Sequence, residues 1–588
     1  MALIKKLAGS LVTKAKPASV LINKINATHE KNENEPSPIK KNINTNFDDP
    51  AIAFKSKTTP EIIRSYFLYE LLSINWIVDN NIKIMKTANT ILGDNIFIIF
   101  MKGTFFGHFV GGEDEKSVTP LIKKMSSYGV GSILDYSVEE DISTQIAESL
   151  EKKALDDPKT ELPQYQVHKV HLDRRDKVVS ARTYFYINEE VCDKNLDRFL
   201  KSVETVSKIT PGNGIVAIKL TALCRPKLLL QLSEVIAKCR IFMSNIFKSE
   251  GGLPIIHTDI SKENFKKRVS ELMKNENEKE KFLQWIVADD KGMIHLFPWS
   301  GILNDEFEVN ETFKVPDPKT GEMVRLMSHL TKEEVTHFKS MVRRLNTLMR
   351  TAEELNAKVM IDAEQSYFQP AISRLTVELM RKYNTKDGIV YNTYQKYLKS
   401  SYNEVLSDLE QARRQNFYFR CKLVRGAYMD QERERAKEMN YEDPIQPNYN
   451  ATSENYAKTL TECIRQIKKL KDEGVKEKRI AVMVASHNED TVRLAIEKMR
   501  EMEIAPEEKT IMFGQLLGMC DFVSFTLADA GYSVYKYTPY GPVKEVLPYL
   551  SRRAIENKGV LKNVKKEKSM LRKEILRRSM IGLGIQKS

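Results

Sequence analysis

Cysteine is scarce in this chain, and the few cysteines present show no pairing pattern. The sequence has six cysteines in 588 residues, and no two of them stand in a CxxC arrangement. Disulfide-stapled domains and zinc ribbons both need closely spaced cysteines. The cysteine pattern therefore argues against both classes, and we expect reduced thiols, a reducing compartment and no metal site.

Long hydrophobic runs and nucleotide-binding loops are missing as well. No apolar run is longer than that of residues 96–101, whereas a membrane-spanning helix needs about 18 to 20 apolar residues. Neither GxGxxG nor GxxxxGK[ST] occurs, which argues against a Rossmann domain and a P-loop. The chain is thus expected to be a globular protein that is soluble or bound to a membrane surface.

Acidic residues are absent from the first 29 positions, which carry five lysines. Basic, Ser- and Thr-containing, acid-free starts are typical of mitochondrial presequences, although these are usually rich in Arg and this one has only Lys. We therefore predict a mitochondrial presequence over residues 1–29, with a disordered basic start as the alternative. The polar, Asn-rich residues 30–50 are expected to form a linker without fixed structure, followed by a helical segment over residues 51–128.

The positive charge is concentrated at the other end of the chain. Of the net charge of +13, residues 558–588 carry +8, from ten Lys and Arg against two Glu. The body is nearly balanced, which argues against a nucleic-acid-binding protein. Within this tail Val560, Val564, Leu571 and Ile575 recur at helical spacing. We expect either a basic amphipathic helix lying on anionic lipid or a solvated tail.

Short apolar runs alternate with amphipathic stretches through the rest of the chain, and eight runs read as strands. Repetition of strand and helix eight times predicts a closed parallel (β/α)8 barrel over residues 129–557, with an open doubly wound sheet as the alternative. About 135 residues separate the second and third runs, so residues 226–350 are expected to be a helical insertion. The predicted strands are residues 130–136, 214–220, 357–361, 388–392, 419–424, 480–485, 511–516 and 533–537.

Polar residues stand where these strands end, which is where a barrel places its chemistry. Lys219 ends a strand that should be buried on both faces, so its ammonium needs a carboxylate partner. That partner is either Asp362 on the next strand or the acid group of a substrate. After the last strand, Arg552 and Arg553 lie on one helix with Glu556; they either form a surface ion pair or bind a small carboxylate.

The motifs at these positions resemble those of the proline dehydrogenase (proline oxidase) family, of the mitochondrial monofunctional type found in eukaryotes. The family pattern YLxRRxxEN is matched throughout residues 549–557, and the other motifs follow in order between about residue 100 and residue 560. They are LDYxxE at 134–139, KL[ST]A at 219–222, IDAE at 361–364, YQK at 394–396, KLVRGAY at 422–428, [ST]HN at 486–488 and QLxGM at 515–519.

The resemblance implies a distorted (β/α)8 TIM-type barrel that binds FAD. Such an enzyme oxidises L-proline to Δ1-pyrroline-5-carboxylate, the first step of proline catabolism, by hydride transfer to flavin N5. It passes the electrons to ubiquinone. It is associated peripherally with the mitochondrial inner membrane, on the matrix side.

The resemblance also assigns roles to individual residues. Lys219, Arg552 and Arg553 would hold the proline carboxylate, Tyr428, Leu516 and Tyr537 would wall the ring, and Glu139 would pair with Arg552 across the mouth. Asp362 would lie at both substrate and cofactor. The residues placed along FAD are Asp362, Ala363, Gln395, Lys422, Val424, Arg425, Gly426, Ala427, Tyr428, Thr452, Ser486, His487, Asn488, Gln515, Leu516 and Glu556.

Two alternatives remain open at this point. A related hydroxyproline dehydrogenase would share the cofactor and the fold, but that branch has a smaller residue where Tyr537 stands here, which favours proline. A catalytically silent barrel that docks on membranes through its basic tail is the second alternative. One departure from bacterial relatives, Lys422 in place of Arg, puts the tuning of the flavin in doubt.

Overall fold

The structure is a computed structural model, and it describes most of the barrel and the segments packed on it. The predicted presequence, most of the predicted linker, Glu139 and the side chain of Glu556 lie outside the described part. The described residues are 43–138, 162–166, 188–247, 260–273, 275–284, 293–294, 301–304, 307–316, 320, 322–326, 330–559 and 561–582.

Eight parallel strands close into a barrel, each pairing with the next along the chain and the eighth with the first. The predicted fold class is thereby confirmed, and four strands have the predicted bounds. The strands are buried on both faces, which is why they read as short apolar runs in the sequence. They are β1 Val130–Tyr136, β2 Ile215–Ile218, β3 Lys358–Ile361, β4 Val390–Gln395, β5 Phe419–Val424, β6 Ile480–Ala485, β7 Ile511–Leu516 and β8 Ser533–Tyr540.

Side chains alternate between the barrel interior and the surrounding helices along each strand. The interior is filled by a layer that includes Ile133, Ile215, Met360, Met483 and Met512. This layer closes the barrel below its mouth. Inward-facing side chains beyond the layer, at the carboxyl ends of the strands, must therefore meet at the mouth.

Twenty α-helices are described, most of them arranged around the barrel. They are α1 Pro50–Ala53, α2 Thr59–Leu72, α3 Asn75–Asp79, α4 Asn81–Gly103, α5 Phe105–Phe109, α6 Glu115–Ser127, α7 Glu189–Ile209, α8 Pro226–Phe247, α9 Lys262–Leu272, α10 Glu276–Gln284, α11 Val309–Thr312, α12 Lys332–Glu354, α13 Gln369–Tyr383, α14 Ser401–Arg414, α15 Met429–Glu438, α16 Tyr449–Asp472, α17 Glu489–Glu501, α18 Asp521–Asp529, α19 Leu547–Gly559 and α20 Leu561–Gly582. Three short 3-10 turns are Pro163–Tyr165, Leu220–Ala222 and Pro506–Glu508.

The segment between β2 and β3 contains helices α8 to α12 and two small antiparallel ribbons. The ribbons pair Ile260–Ser261 with Met293–Ile294, and Lys314–Pro316 with Met323–Arg325. Helix α12 is fixed to α7 by Arg344, whose guanidinium is buried and ion-pairs with Asp193 at 2.8 Å and Glu189 at 2.7 Å. The described residues of this segment are thus predominantly helical, and the segment returns the chain to the barrel.

The end of the expected linker is packed rather than free of structure. Phe47 is fully buried, and the carbonyl of Thr45 accepts a 2.9 Å hydrogen bond from Nε of Arg493 on α17. The prediction over residues 43–50 is therefore wrong. The prediction relied on the average polar composition of the stretch, which does not reveal that one aromatic side chain, Phe47, packs into the protein.

The basic tail is also packed on the protein. Helix α20 runs antiparallel to α2, with Glu567 accepting from the Tyr69 hydroxyl at 3.0 Å and Arg578 donating to the carbonyl of Lys57 at 2.8 Å. Val564 and Leu571, which were expected to face lipid or solvent, are buried. That expectation is corrected, because α2 covers the apolar stripe. Within the described part of the chain, no helix combines the length and the hydropathy needed to cross a membrane.

Candidate active site

Charged and aromatic side chains converge at the carboxyl ends of β2, β3, β5 and β8. Lys219 directly follows β2, Asp362 directly follows β3, and Lys422 and Tyr537 lie near the ends of β5 and β8. Lys219, Asp362 and Tyr537 each lie two residues beyond a side chain of the interior layer on the same strand, and Lys422 pairs in register with Met483 of that layer. All four side chains are therefore directed into the mouth. Lys219, Asp362 and Lys422 are each less than 10% exposed.

Asp362 is the centre of this group. Its Oδ1 forms an ion pair with Nζ of Lys422, and its Oδ2 accepts a 2.8 Å hydrogen bond from the Tyr537 hydroxyl. The Lys422 ammonium also lies 5.7 Å from the centre of the Tyr537 ring. Burial alone would raise the pKa of Asp362, but the positive charges of Lys422 and Lys219 outweigh it and hold the pKa below its ordinary value. Asp362 is therefore an ionised carboxylate at neutral pH.

Lys219 reaches a second polar group. Its Nζ donates to the hydroxyl of Tyr428 at 3.5 Å, and that hydroxyl donates to the carbonyl of Ala363 at 3.3 Å. Burial raises the pKa of Tyr428, so the phenol stays protonated. Asp362 was one of the two partners expected for Lys219. The two residues interact through their charges, but Asp362 forms its close ion pair with Lys422 instead.

Glu364 forms the floor beside Lys219. The backbone amide and the hydroxyl of Thr221 donate to its two oxygens at 3.1 and 2.7 Å. Burial raises the pKa of Glu364, although the charge of Lys219 acts in the opposite direction. The motifs KLTA and IDAE therefore meet in space, at the ends of adjacent strands. The sequence reading missed Thr221, although its motif contained it.

His487 and Leu516 form another part of the mouth. Nε2 of His487 accepts a 3.0 Å hydrogen bond from the backbone amide of Leu516, which places the ring proton on Nδ1. Burial, with the positive charges of Lys536 and Arg553, lowers the pKa of His487 to about 3, although part of the residue remains accessible. The imidazole is thus neutral and serves to fix the end of β7.

Helix α19 brings Arg552 and Arg553 to the same end of the barrel. Tyr549 and Ala554 on this helix share an apolar cluster with Met519, against which Leu516 packs. The Arg553 guanidinium is buried, lies 4.8 Å above the ring of Tyr549 and is close enough to act on His487. Arg552 is half-buried. The proposed partners Glu139 and Glu556 have no described side chain.

The loop after β5 provides a backbone cradle. Gly426 has a φ of 141°, and a Cβ at this position would collide with the ring of Tyr397. Only glycine fits there, and it leaves the backbone of Val424 to Ala427 open to a close approach by a ligand. A flat cofactor or a phosphate group needs such an approach.

Arg425 lies beside this cradle. Its guanidinium stacks 4.3 Å above the ring of Tyr449, at the start of α16, and Nη2 donates to Ser453 at 2.8 Å. The hydroxyl of Tyr449 accepts from Asn488 at 2.6 Å, which joins the end of β6 to this group. The sequence reading missed Tyr449 and Ser453. The signal available in the sequence was Asn448, a helix-capping residue whose side chain accepts from the amide of Ala451 and which marks the start of the helix that carries both residues.

Two buried polar atoms at the mouth fit a bound cofactor. Among the described residues, neither Oε1 of Gln395 nor Nη1 of Arg425 has a hydrogen-bond partner, and Gln395 is only 2% exposed. An unsatisfied buried polar group costs about 1 to 3 kcal/mol, so a ligand that supplies a donor and an anionic acceptor would satisfy both. The cradle, Gln395 and Arg425 therefore fit FAD, since its flavin carries an amide N–H that could donate to Gln395 and its pyrophosphate carries anionic oxygens that could accept from Arg425.

The remaining residues predicted along a cofactor lie around the same mouth. Thr452 is buried in the first turn of α16, and Ser486 accepts from the backbone amide of Asn488 at 3.1 Å. Gln515 donates to the carbonyl of Ser486 at 3.2 Å and accepts from Ser524 at 2.9 Å. The ends of β3 to β8 are thus brought together on one surface. Cations outnumber carboxylates around it, as suits an acidic substrate or an anionic cofactor.

Residues 118–566 match the family model described as proline dehydrogenase. The chain is 52% identical to proline dehydrogenase 1, mitochondrial, of Drosophila melanogaster, over 93% of this chain and 82% of that protein. It is 42% identical to proline dehydrogenase 1, mitochondrial, of Homo sapiens, over 91% of this chain and 90% of that protein.

More distant similarities were also found. The chain is 29% identical to hydroxyproline dehydrogenase of Xenopus laevis, over 90% of each. Among solved structures it is similar to proline utilization A of Bdellovibrio bacteriovorus, with a TM-score of 0.48 and 16% identity. That similarity covers 86% of this chain and 41% of the other, so the present chain spans less than half of that protein.

Proposed function

The chain belongs to the proline dehydrogenase family of oxidoreductases, and from this premise we propose the details of its reaction. The substrate is L-proline, the product is Δ1-pyrroline-5-carboxylate, the cofactor is FAD, and the electrons pass to ubiquinone. The observation that carries the proposal is the buried group at the mouth in which Lys219 contacts Tyr428 while Lys422 and Tyr537 hold Asp362.

Substrate binding follows from the charges. The carboxylate of proline binds to Lys219, Arg552 and Arg553, since ammonium and guanidinium groups form charge-assisted hydrogen bonds with carboxylates. An excess of positive charge around the bound zwitterion lowers the pKa of its ammonium group. Proline therefore loses the amine proton more readily in the site than in water, which leaves the nitrogen lone pair available for oxidation.

The walls orient the ring and exclude water. Tyr428 is buried and Tyr537 and Leu516 are half-buried in the unliganded protein. Their apolar surfaces face a small ring, and the hydrogen bond of Tyr537 to Asp362 keeps its side chain from rotating away. This fixed orientation reduces the entropy lost on reaching the transition state.

The residues at the mouth that fit FAD would bind it. Gln395, Arg425 and the backbone around Gly426 would hold FAD, together with Ala363, Thr452, Asn488 and Gln515. When bound, FAD supplies the chemistry that side chains lack, which is the acceptance of two electrons from a C–H bond. Lys422 bound to Asp362 places a fixed positive charge near it, in place of the guanidinium of bacterial relatives.

Proline is favoured over hydroxyproline as substrate. The relatives named proline dehydrogenase 1 are 52% and 42% identical, whereas the Xenopus laevis hydroxyproline dehydrogenase is 29% identical. Tyr537 supports the same choice, since its ring fills the space that an added hydroxyl would need. A catalytically silent barrel is disfavoured, because such a chain would have no reason to retain the buried ions of the mouth.

The location that we propose is the matrix side of the mitochondrial inner membrane, with peripheral association. The relatives from Drosophila melanogaster and Homo sapiens are named mitochondrial. The acid-free, lysine-containing first 29 residues support the same compartment. Ubiquinone is confined to the bilayer by its hydrocarbon tail, so its reduction requires contact with a membrane.

A direct test uses purified protein supplied with FAD, L-proline and a soluble quinone. We expect quinone reduction and, by mass spectrometry, a product that has lost two hydrogen atoms relative to proline. D-proline serves as the matched control, since its carboxylate cannot reach the same cations with the ring in place. Absence of the product with a flavin-loaded protein would overturn the proposal.

A further inference from the structure

Exposed apolar side chains are concentrated on one part of the protein. Of the fifteen large apolar side chains that are exposed among the described residues, eleven lie on or beside α2, α3, α4 and α20. Single exposed apolar residues need no explanation, but a contiguous group marks an interaction site. We call this group the apolar surface; it consists of Ile63, Phe67, Ile74, Trp76, Ile91, Leu92, Ile96, Ile99, Phe100, Leu576 and Met580.

Helix α4 contributes the largest share. In its second half only Phe97 and Met101 are buried, at the four-residue spacing of one narrow face. Ile96 and Ile99 on the other faces are 58% and 71% exposed. A helical stretch that is apolar on every side, as residues 96–101 are, is normally buried in protein or in lipid. Among the described residues, protein covers only one side of this stretch.

Helices α2 and α20 extend the same surface. Ile63 and Phe67 lie one turn apart on α2 and are 52% and 54% exposed, and Leu576 and Met580 lie one turn apart on α20 and are 54% and 40% exposed. The two helices pack antiparallel, with Lys568 pairing with Glu70 at 2.9 Å, so neighbouring helices each present exposed apolar side chains. Short helix α3, which carries Trp76 at 68% exposure, joins α2 to α4.

The charge beside the surface is positive. Helix α20 has eight Lys and Arg and two Glu, and both acids, Glu567 and Glu574, are buried. Lys565, Arg572 and Lys573 are exposed on it. Exposed apolar residues bordered by Lys and Arg are the features with which a protein binds at the interface of an anionic bilayer. A tryptophan at the border adds a side chain suited to the level of the lipid headgroups.

The apolar surface lies next to the mouth of the barrel. Val78 and Phe97, from the inner sides of α3 and α4, share one apolar cluster with Tyr549 and Ala554 of α19. That helix carries Arg552 and Arg553. Leu516 of the mouth packs against the same cluster. A membrane that covers the apolar surface would therefore lie within a helix or two of the substrate site.

We propose that the apolar surface, with the exposed cations of α20, docks the protein on an anionic lipid bilayer. The deduction that this lets a membrane-soluble quinone approach the mouth rests on the function proposed above. A second copy of the chain is a poorer occupant. A two-fold symmetric contact buries the same patch of both copies, so it would bring two sets of the exposed cations Lys565, Arg572 and Lys573 into one interface.

The test is co-sedimentation of the full chain with vesicles. Phosphatidylcholine vesicles with and without phosphatidylglycerol serve as probes, with two double variants. Ile96→Ser with Ile99→Ser removes apolar side chains from the surface. Ile241→Ser with Val324→Ser is the matched control, since Ile241 and Val324 are 52% and 44% exposed elsewhere. We expect the first variant to weaken binding to anionic vesicles by at least about tenfold and the control to leave it within about twofold.

Two further readouts separate the outcomes. Arg572→Gln with Lys573→Gln should weaken binding only to the anionic vesicles. Brominated lipid should quench the tryptophan fluorescence of the parent, and this quenching should be absent in Trp76→Phe. Equal binding by the Ser variant and the parent would overturn the proposal. A change in oligomeric size of that variant at unchanged vesicle binding would assign the surface to a second copy. Proline-dependent reduction of a soluble quinone, which these variants should retain, fails only if the proposed function fails.

Discussion

Tyr537 donates a 2.8 Å hydrogen bond from its hydroxyl to Oδ2 of Asp362, whose other oxygen is held by Lys422. An aromatic wall of the mouth is thereby tied to an ionised carboxylate, and that carboxylate is neutralised by a lysine from a third strand. Asp362 thereby joins the ends of β3, β5 and β8, while Lys219 at the end of β2 donates to the Tyr428 hydroxyl of the same mouth.

The first prediction concerns the Tyr537 ring. We expect Tyr537→Ser to raise the ratio of kcat/KM for trans-4-hydroxy-L-proline to that for L-proline, because removal of the ring opens space for a hydroxyl. Tyr537→Phe is the control: it loses the bond to Asp362 but keeps the ring, so this ratio should stay within about threefold. Steady-state kinetics with both substrates give the values. An unchanged ratio in the Ser variant would show that Tyr537 does not set specificity.

A second prediction concerns Lys219. Loss of a charge-assisted hydrogen bond costs about 1.5 to 3 kcal/mol, so Lys219→Met should lower kcat/KM for proline by roughly 10- to 150-fold. The acidic limb of the pH profile should move to higher pH, because the bound amine then holds its proton more tightly. Lys358→Met, at the opposite end of the barrel, is the matched control. A pH profile identical to that of the parent would remove the role assigned to Lys219.

Arg425 provides a third prediction. If its guanidinium faces an anionic part of the cofactor, Arg425→Ala should weaken FAD binding by about tenfold or more. Arg433, on the neighbouring helix α15 and paired with Asp443 at 3.3 Å, offers the control substitution Arg433→Ala. Titration of the apoprotein with FAD, followed by flavin fluorescence, measures both. Equal affinities would place the anionic part of the cofactor elsewhere.

The fourth prediction is a pH dependence of stability. Burial and the nearby Asp521 carboxylate raise the pKa of Glu567 from 4.5 to about 7. The folded protein thus binds this proton more tightly than the unfolded chain does. The stabilisation is complete below about pH 4.5 and is lost as the pH rises to about 7. Relative to Glu567→Gln, the free energy of unfolding of the parent should therefore fall by up to about 3 kcal/mol over this range.

Glu574 on the same helix is the matched control for that measurement. Burial raises its pKa, but hydrogen bonds from Arg577 and Arg578 outweigh burial and lower it overall. Its contribution is present above pH 4.5 and is lost at lower pH, so Glu574→Gln should change the slope in the opposite direction. Urea titrations at several pH values give both slopes. Parallel curves for the parent and Glu567→Gln would contradict the account.

The sequence specified the barrel well, because parallel strands buried on both faces leave short apolar runs that are visible one by one. It also located the mouth, since Lys219 and Asp362 interrupt such runs at their ends. The pairing of Asp362 with Lys422 rather than with Lys219 was not visible. That pairing depends on which inward-facing residues of β2, β3 and β5 lie at the same height along the barrel axis. The register between the strands of the closed barrel sets this height.

Contacts between distant parts of the chain were predicted least well. Leu571 is buried because α2 lies against α20, and these helices are separated by about five hundred positions. The periodicity of the tail predicted an apolar stripe but could not say what covers it. The packing of Phe47 was missed for a similar reason, since one aromatic side chain in a polar stretch carries no periodic signal.

The measurement that tests the central claim most directly is anaerobic addition of L-proline to the purified, FAD-supplied protein while its visible spectrum is recorded. We predict that the flavin absorption band near roughly 450 nm is lost with L-proline and largely retained with trans-4-hydroxy-L-proline. A band that hydroxyproline removes more readily would assign the enzyme to the other substrate. A protein that binds no flavin, or whose flavin band is unaffected by either compound, would contradict the account.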